Sequence, residues 1–207
     1  ALVSFLQNHD QVANSAADSF GLQTAETLNP TSNVVYLANA ATTNKIKIWT
    51  VSGLAGVPPT PTSQLVTVPS FVFPTQAGAA STSGHLLDDL DGRLINCMYV
   101  GTGLVTAHTV LGTSDTRRRV RWYEFSASPT GGVATLNQSG EVKQSGSSAV
   151  HYHLGAIGKA PTGDIALIMT RSGPDGPVAD IVRTIRKSSD PLGTMGAPFL
   201  IEASSGP

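Results

Sequence analysis

From Asn33 onward the chain is a succession of short apolar runs broken by clusters of Gly, Pro, Ser, Thr and Asn, the spacing expected of strands in antiparallel meanders; helical periodicity is hard to find. Ile46, Ile48 and Thr50 alternate with Lys45, Lys47 and Trp49, a period of two that sends the first set to a core face. Val34-Val35-Tyr36-Leu37 precedes them as a partner strand. Residues 53–64 contain Pro58, Pro59 and Pro61, which bring no ladder donors, so they read as a loop before a short strand at Leu65–Val68. Thr75 to Gly84, rich in Ala, Ser, Thr and Gly, reads as a surface connection.

The clearest unit follows. Arg93–Val100, a Gly101-Thr102-Gly103 turn, Leu104–Leu111, Arg119–Ser126 and a weaker Gly140–Gln144 make four strands joined by short turns. A further unit runs as Val150–Lys159, a Pro161-Thr162-Gly163-Asp164 turn, Ile165–Arg171, Val178–Arg186 and Pro198–Glu202. The units begin near Val34, Leu94 and Tyr152, a repeat of strand pattern without sequence identity. The expected fold is all-β: antiparallel four-stranded meanders forming part of a β-propeller, with a β-sandwich as the alternative. Residues 1–207 are expected to be a single partial propeller with blades at about 34–68, 94–144 and 150–203, and residues 1–33 belonging to a preceding blade.

Composition supports strands and narrows partners. Only 13% of the residues are charged, while Gly (21) and Pro (13) are plentiful, a balance that disfavours exposed helices. The net charge of −1 argues against nucleic acid as a partner. The basic run Arg117-Arg118-Arg119 with Arg121 reads as a polar turn entering a strand with outward charges. No apolar stretch is long enough to span a bilayer as a helix, so no direct membrane insertion is expected. Cys97, within Leu94–Val100, reads as a buried small hydrophobe, and no intrachain disulfide can form. The chain begins at Ala1 without Met, the appearance of a processed secreted protein or a fragment of a longer one.

Several segments carry a family resemblance: Leu87 to Asn96, Leu104 to Thr109, Val120 to Glu124, Lys45 to Trp49, Gly163 to Ala166 and Ser189 to Gly196. In order and spacing they cover roughly residues 30–203, and together they resemble uncharacterised bacterial secreted proteins with a sialidase-like (BNR-type) β-propeller, of which this chain looks like an internal segment. The resemblance implies the general architecture and an open arc of blades completed by another chain or by the rest of a longer polypeptide.

Asp88, Asp89 and Asp91, ending at Gly92, are the candidate Ca²⁺ site, because alternating carboxylates before a glycine can wrap a hard cation. The competing reading is a charged turn pairing with Arg93. His151 and His153 flank Tyr152 and would share a strand face, two potential metal ligands that need a third from His85, His108 or a carboxylate. Retaining glycoside hydrolysis needs two close carboxylates, for which Asp91, Glu124 and Asp164 are available. Sialidase-type chemistry would use arginines and a tyrosine, here Arg93, Arg121 and Tyr99. No Gly-x-Ser-x-Gly elbow occurs, and His108 sits inside an apolar strand. Trp49, Trp122 and Tyr123 have faces that could stack on sugars, but they read first as packing between blades. Asn137-Gln138-Ser139 fits a glycosylation sequon.

With no convincing catalytic set, the leading expectation is a non-catalytic extracellular or cell-surface module for binding or assembly, with periplasmic location as the alternative. Its expected partners are other protein chains or the rest of a longer polypeptide, and glycans. The alternatives are a sialidase-like glycoside hydrolase with an active site shared with missing blades, and a structural subunit of an envelope layer or filament.

Overall fold

The computed structural model describes residues 21–28, 33–52, 60–74, 78–81, 84–112, 115–143, 149–174 and 178–205. They form fourteen strands and no helix. The first meander consists of β1 (Gln23–Thr27), β2 (Val35–Thr42), β3 (Lys45–Ser52) and β4 (Thr60–Thr67). After the short pair β5 (Ala79–Ala80) and β6 (Leu86–Leu87), the second comprises β7 (Leu94–Val100), β8 (Gly103–Leu111), β9 (Arg118–Ser126) and β10 (Thr135–Val142). The third comprises β11 (His151–Lys159), β12 (Ile165–Ser172), β13 (Asp180–Arg186) and β14 (Phe199–Glu202).

Within each meander neighbours pair antiparallel in chain order. The first two join through one parallel pairing, β1 with β7 in the register Ala25 to Cys97, giving an eight-stranded sheet in the order β10-β9-β8-β7-β1-β2-β3-β4. The third meander is a separate four-stranded sheet. The eight-stranded sheet folds over on itself, and its halves enclose one core in which Tyr36, Ile46 and Ile48 meet Leu94, Cys97, Leu104, Tyr123 and Phe125. Gln64 Nε2 donates to Ala134 O at 2.7 Å, bringing β4 close to the segment entering β10.

β9 explains why the two cores are contiguous. Tyr123 and Phe125 point into the first core, while Val120 and Trp122 point into a second, shared with Tyr152, Ile157, Ile165, Leu167 and Val182 of the third meander. A strand covered on both faces shows continuous burial, and Arg118 through Phe125 are all buried. β11 lies across β7, β8 and β9, where a bulge between His153 and Ala156 reshapes it. Leu154 there has φ 55°, and a Cβ on Gly155 would stand 2.4 Å from Val120 Cγ1, so glycine lets β11 lie flat on β9.

Three expectations change. β1, expected to belong to a preceding unit, is the first strand of the first meander; residues 1–20 and 29–32 lie outside the described residues. Thr60–Gln64, expected to be loop, belongs to β4, which is the sheet edge; Pro61 opposes Val51 there, where a missing donor can face away from the ladder. Of the rest of that loop, 53–59 lie outside the described residues. The 75–84 stretch is not simply a surface connection, since Ala79 in β5 and Ser81 are buried; 75–77 and 82–83 lie outside the described residues.

Candidate functional site

In the acidic turn Asp91 pairs with Arg93, while Asp88 and Asp89 have other partners. Asp91 takes a bidentate hydrogen bond from Arg93, Nε to Oδ1 at 2.8 Å and Nη2 to Oδ2 at 2.7 Å, which lowers its carboxyl below the ordinary range. Asp89 is buried and paired with Arg118 Nε, while Asp88 Oδ1 accepts from Leu90 N–H at 2.8 Å. Each carboxylate therefore has its own partner. Among the described residues no group of three or more His, Cys, Asp or Glu side chains is placed to hold a metal ion.

The basic run is a correction: Arg118, Arg119 and Arg121 are buried rather than outward. Arg119 donates to Asp115 at 2.9 Å and to Glu141 at 3.3 Å. Arg121 pairs with Glu141 and donates to the carbonyls of Pro69 at 2.7 Å and Ser70 at 2.8 Å. These guanidinium groups tie the β3–β4 side of the molecule and the β8–β9 connection to β9, so their charge is spent internally.

The glycosidase candidates do not converge. Arg93 precedes β7 and Tyr99 lies near its other end, about 20 Å apart at the rise of an extended strand. Tyr99 is buried, its hydroxyl donating to Ala127 O at 3.1 Å. Glu124 is buried between meanders: Lys159 of β11 pairs with Oε1, while Gln138 and Asn137 donate to Oε2 at 2.6 and 3.0 Å. Burial pushes its carboxyl up, but these donors outweigh burial and hold it below its ordinary value. Asp164 stands in the β11–β12 turn, accepting from Ser188 N–H at 2.8 Å.

The histidines are structural in placement. His108 Nδ1 lies 2.7 Å from Gly92 O and Nε2 lies 3.0 Å from Tyr123 Oη, which assigns the proton to Nδ1 and makes Tyr123 the donor to Nε2. Burial pushes His108 down to about 4 and pushes Tyr123 up, so both are neutral near pH 7. His151 Nδ1 accepts from Arg118 N–H at 3.1 Å, and His153 Nε2 lies 3.3 Å from Ser172 Oγ. Burial, then His151 and Arg118, lower His153 to about 4. Cys97 is a core residue whose thiol burial pushes up to about 12. Trp122 and Tyr123 fill the two cores, and Trp49 is half-buried under Lys47 with Nε1 donating to Asn39 at 3.1 Å.

What the strand pattern left unremarked is the outward face of the third meander. Ile168, Ile181, Ile185 and Phe199 are exposed there, Phe199 by 62% and Ile168 by 49%. The signal was present: Ile165 to Met169 is apolar at both parities, the mark of a strand meant to be covered on two faces. Only one of those faces, Ile165, Leu167 and Met169, meets the second core. An apolar patch of this extent is a candidate interaction surface. No known protein family, no curated protein and no solved structure matches the chain.

Proposed function

We propose that this chain is a non-catalytic extracellular or cell-surface module that acts through binding or assembly. Its meanders are read as consecutive blades of a propeller-like ring. Supporting the ring, the meanders pack face to face in chain order across the two cores, and the first strands of the first two run parallel. The observation that carries the functional reading is the exposed apolar β12–β14 face, on a molecule whose Arg118, Arg119, Arg121, Glu124 and Glu141 are consumed in internal pairs.

Binding to a glycan array and sedimentation of the chain, alone and with purified envelope components, test this reading. Association that Ile168→Lys abolishes is expected, because that side chain points out and its loss leaves the cores intact. Turnover of a glycoside without any association, or association indifferent to Ile168→Lys, overturns it.

A further inference from the structure

We propose that the β12–β14 face is the contact between two copies of this chain, joined about a two-fold axis by reciprocal Arg183–Glu202 ion pairs. The inference rests on the reading of that face as an assembly surface and names its occupant.

Arg183 occupies the middle of the face. It lies opposite Ile168 on β12 and Phe199 on β14, with Ile181 and Ile185 two residues away on its own strand. Its guanidinium lies 5.0 Å from the Phe199 ring centroid, and among the described residues it has no carboxylate partner. Whatever covers the apolar ring also buries this cation. A buried unpaired guanidinium is strongly unfavourable, so the occupant must bring a carboxylate to that spot.

The chain carries one on the same face. Glu202 opposes Ile181, which alternates in phase with Arg183, and the register shift between Ile181 and Val182 brings Glu202 to the side Phe199 occupies, on the order of 8 Å from Arg183. Glu202 is exposed and, among the described residues, is also without an ion pair. A two-fold axis lying in the face and crossing midway between the two residues places each Arg183 over the other copy's Glu202. This exchange satisfies both charges twice within an apolar field, which is the self-complementarity an isologous interface requires.

Size sets the strength. β12 and β13, of eight and seven residues, and the four-residue β14 cover roughly 300 Å² of sheet per copy at about 4.8 Å between strands and about 3.3 Å per residue. A contact of this size lies below that of stable specific interfaces, so the dimer is weak and concentration-dependent.

Sedimentation velocity of the chain from about 1 μM to about 1 mM tests this, with a monomer-to-dimer transition expected in that range. Arg183→Glu and Glu202→Arg, each placing like charges across the axis, are each expected to weaken association at least about tenfold. Mixed one to one, these two variants are expected to form the heterodimer, and R183E/E202R in one chain is expected to restore the wild-type dimer. A chain that stays monomeric throughout, a dimer indifferent to both reversals, or reversals that neither mixing nor the double variant rescues would overturn the proposal. If the monomer still binds a glycan or envelope component in a manner that Ile168→Lys abolishes, the two-copy contact fails while the assembly reading stands. If neither occurs, both fail.

Discussion

Asn96 offers the sharpest test of how the third meander is held. Its side-chain amide acts as a one-residue strand partner for β11: Nδ2 donates to Ile157 O at 2.7 Å and Oδ1 accepts from Ile157 N–H at 2.9 Å. Ile157 is a buried residue of the second core, so its backbone groups cannot turn to water when the amide is removed. Asn96→Leu keeps the branched shape but strands one donor and one acceptor, each costing about 1–3 kcal/mol, for a total of about 2–6 kcal/mol. Asn96→Asp separates the two bonds, since a carboxylate still accepts from Ile157 N–H but repels Ile157 O. Protonation supplies the missing donor, so the folded state raises the pKa of the new carboxyl. The contribution of its protonated form is present below the unfolded carboxyl pKa and lost as pH rises through the folded one. Urea denaturation followed by the fluorescence of buried Trp122 measures both variants, with Asn96→Asp expected to recover part of its deficit relative to Asn96→Leu as the solution is acidified. A cost for Asn96→Leu below about 0.5 kcal/mol would refute the reasoning, because it would mean that Ile157 finds other partners.

Gly155→Ala should destabilise the fold by about 1–3 kcal/mol in the same assay, since the added methyl meets Val120 Cγ1 at 2.4 Å on a strand covered on both faces. Glu124→Leu should cost about 3 kcal/mol by leaving the largely covered Lys159 ammonium unpaired; adding Lys159→Met should recover part of that loss, and a double-mutant cycle with no coupling would contradict the pair. Acid should weaken the protein through His108 and His153. Both are lowered to about 4 when folded, so the stability from burying them neutral is full above the ordinary histidine pKa and is lost as pH falls toward about 4, at about 3 kcal/mol for each. Thermal melting of His153→Gln against pH should show a shallower acid loss than the wild type, and an unchanged slope would rule out a contribution from His153. Cys97 should resist thiol reagents until the first core opens, as intact-mass labelling in native buffer against urea would reveal.

Local pattern alone determined a good deal about this protein. The two-residue alternation of Ile46, Ile48 and Thr50 sent those side chains to the core, and Gly101, with φ 62°, marks the turn between β7 and β8. Both follow from rules that act over a few neighbouring residues. β3, β7, β8, β11 and β12 lie close to their expected bounds for the same reason, whereas β4 and β10 each begin five residues before the expected strand. Tertiary structure decided the rest. Whether Arg118, Arg119 and Arg121 face water depends on Asp89, Asp115 and Glu141, carboxylates brought to β9 from distant segments or across a hairpin, so a charged triplet gave the wrong burial. Pro61 sits in a ladder because β4 is an edge, a property of the whole sheet. Glu124, Arg93 and Tyr99 resemble a catalytic assortment in a linear list, yet strand register separates Arg93 from Tyr99 and gives Glu124 to Lys159. The apolar run at Ile165–Met169 was legible as two-sided. That one side closes the second core while the other lies open beside Arg183 and Glu202 follows only from how the sheets stack, because burial is a property of what packs against a face.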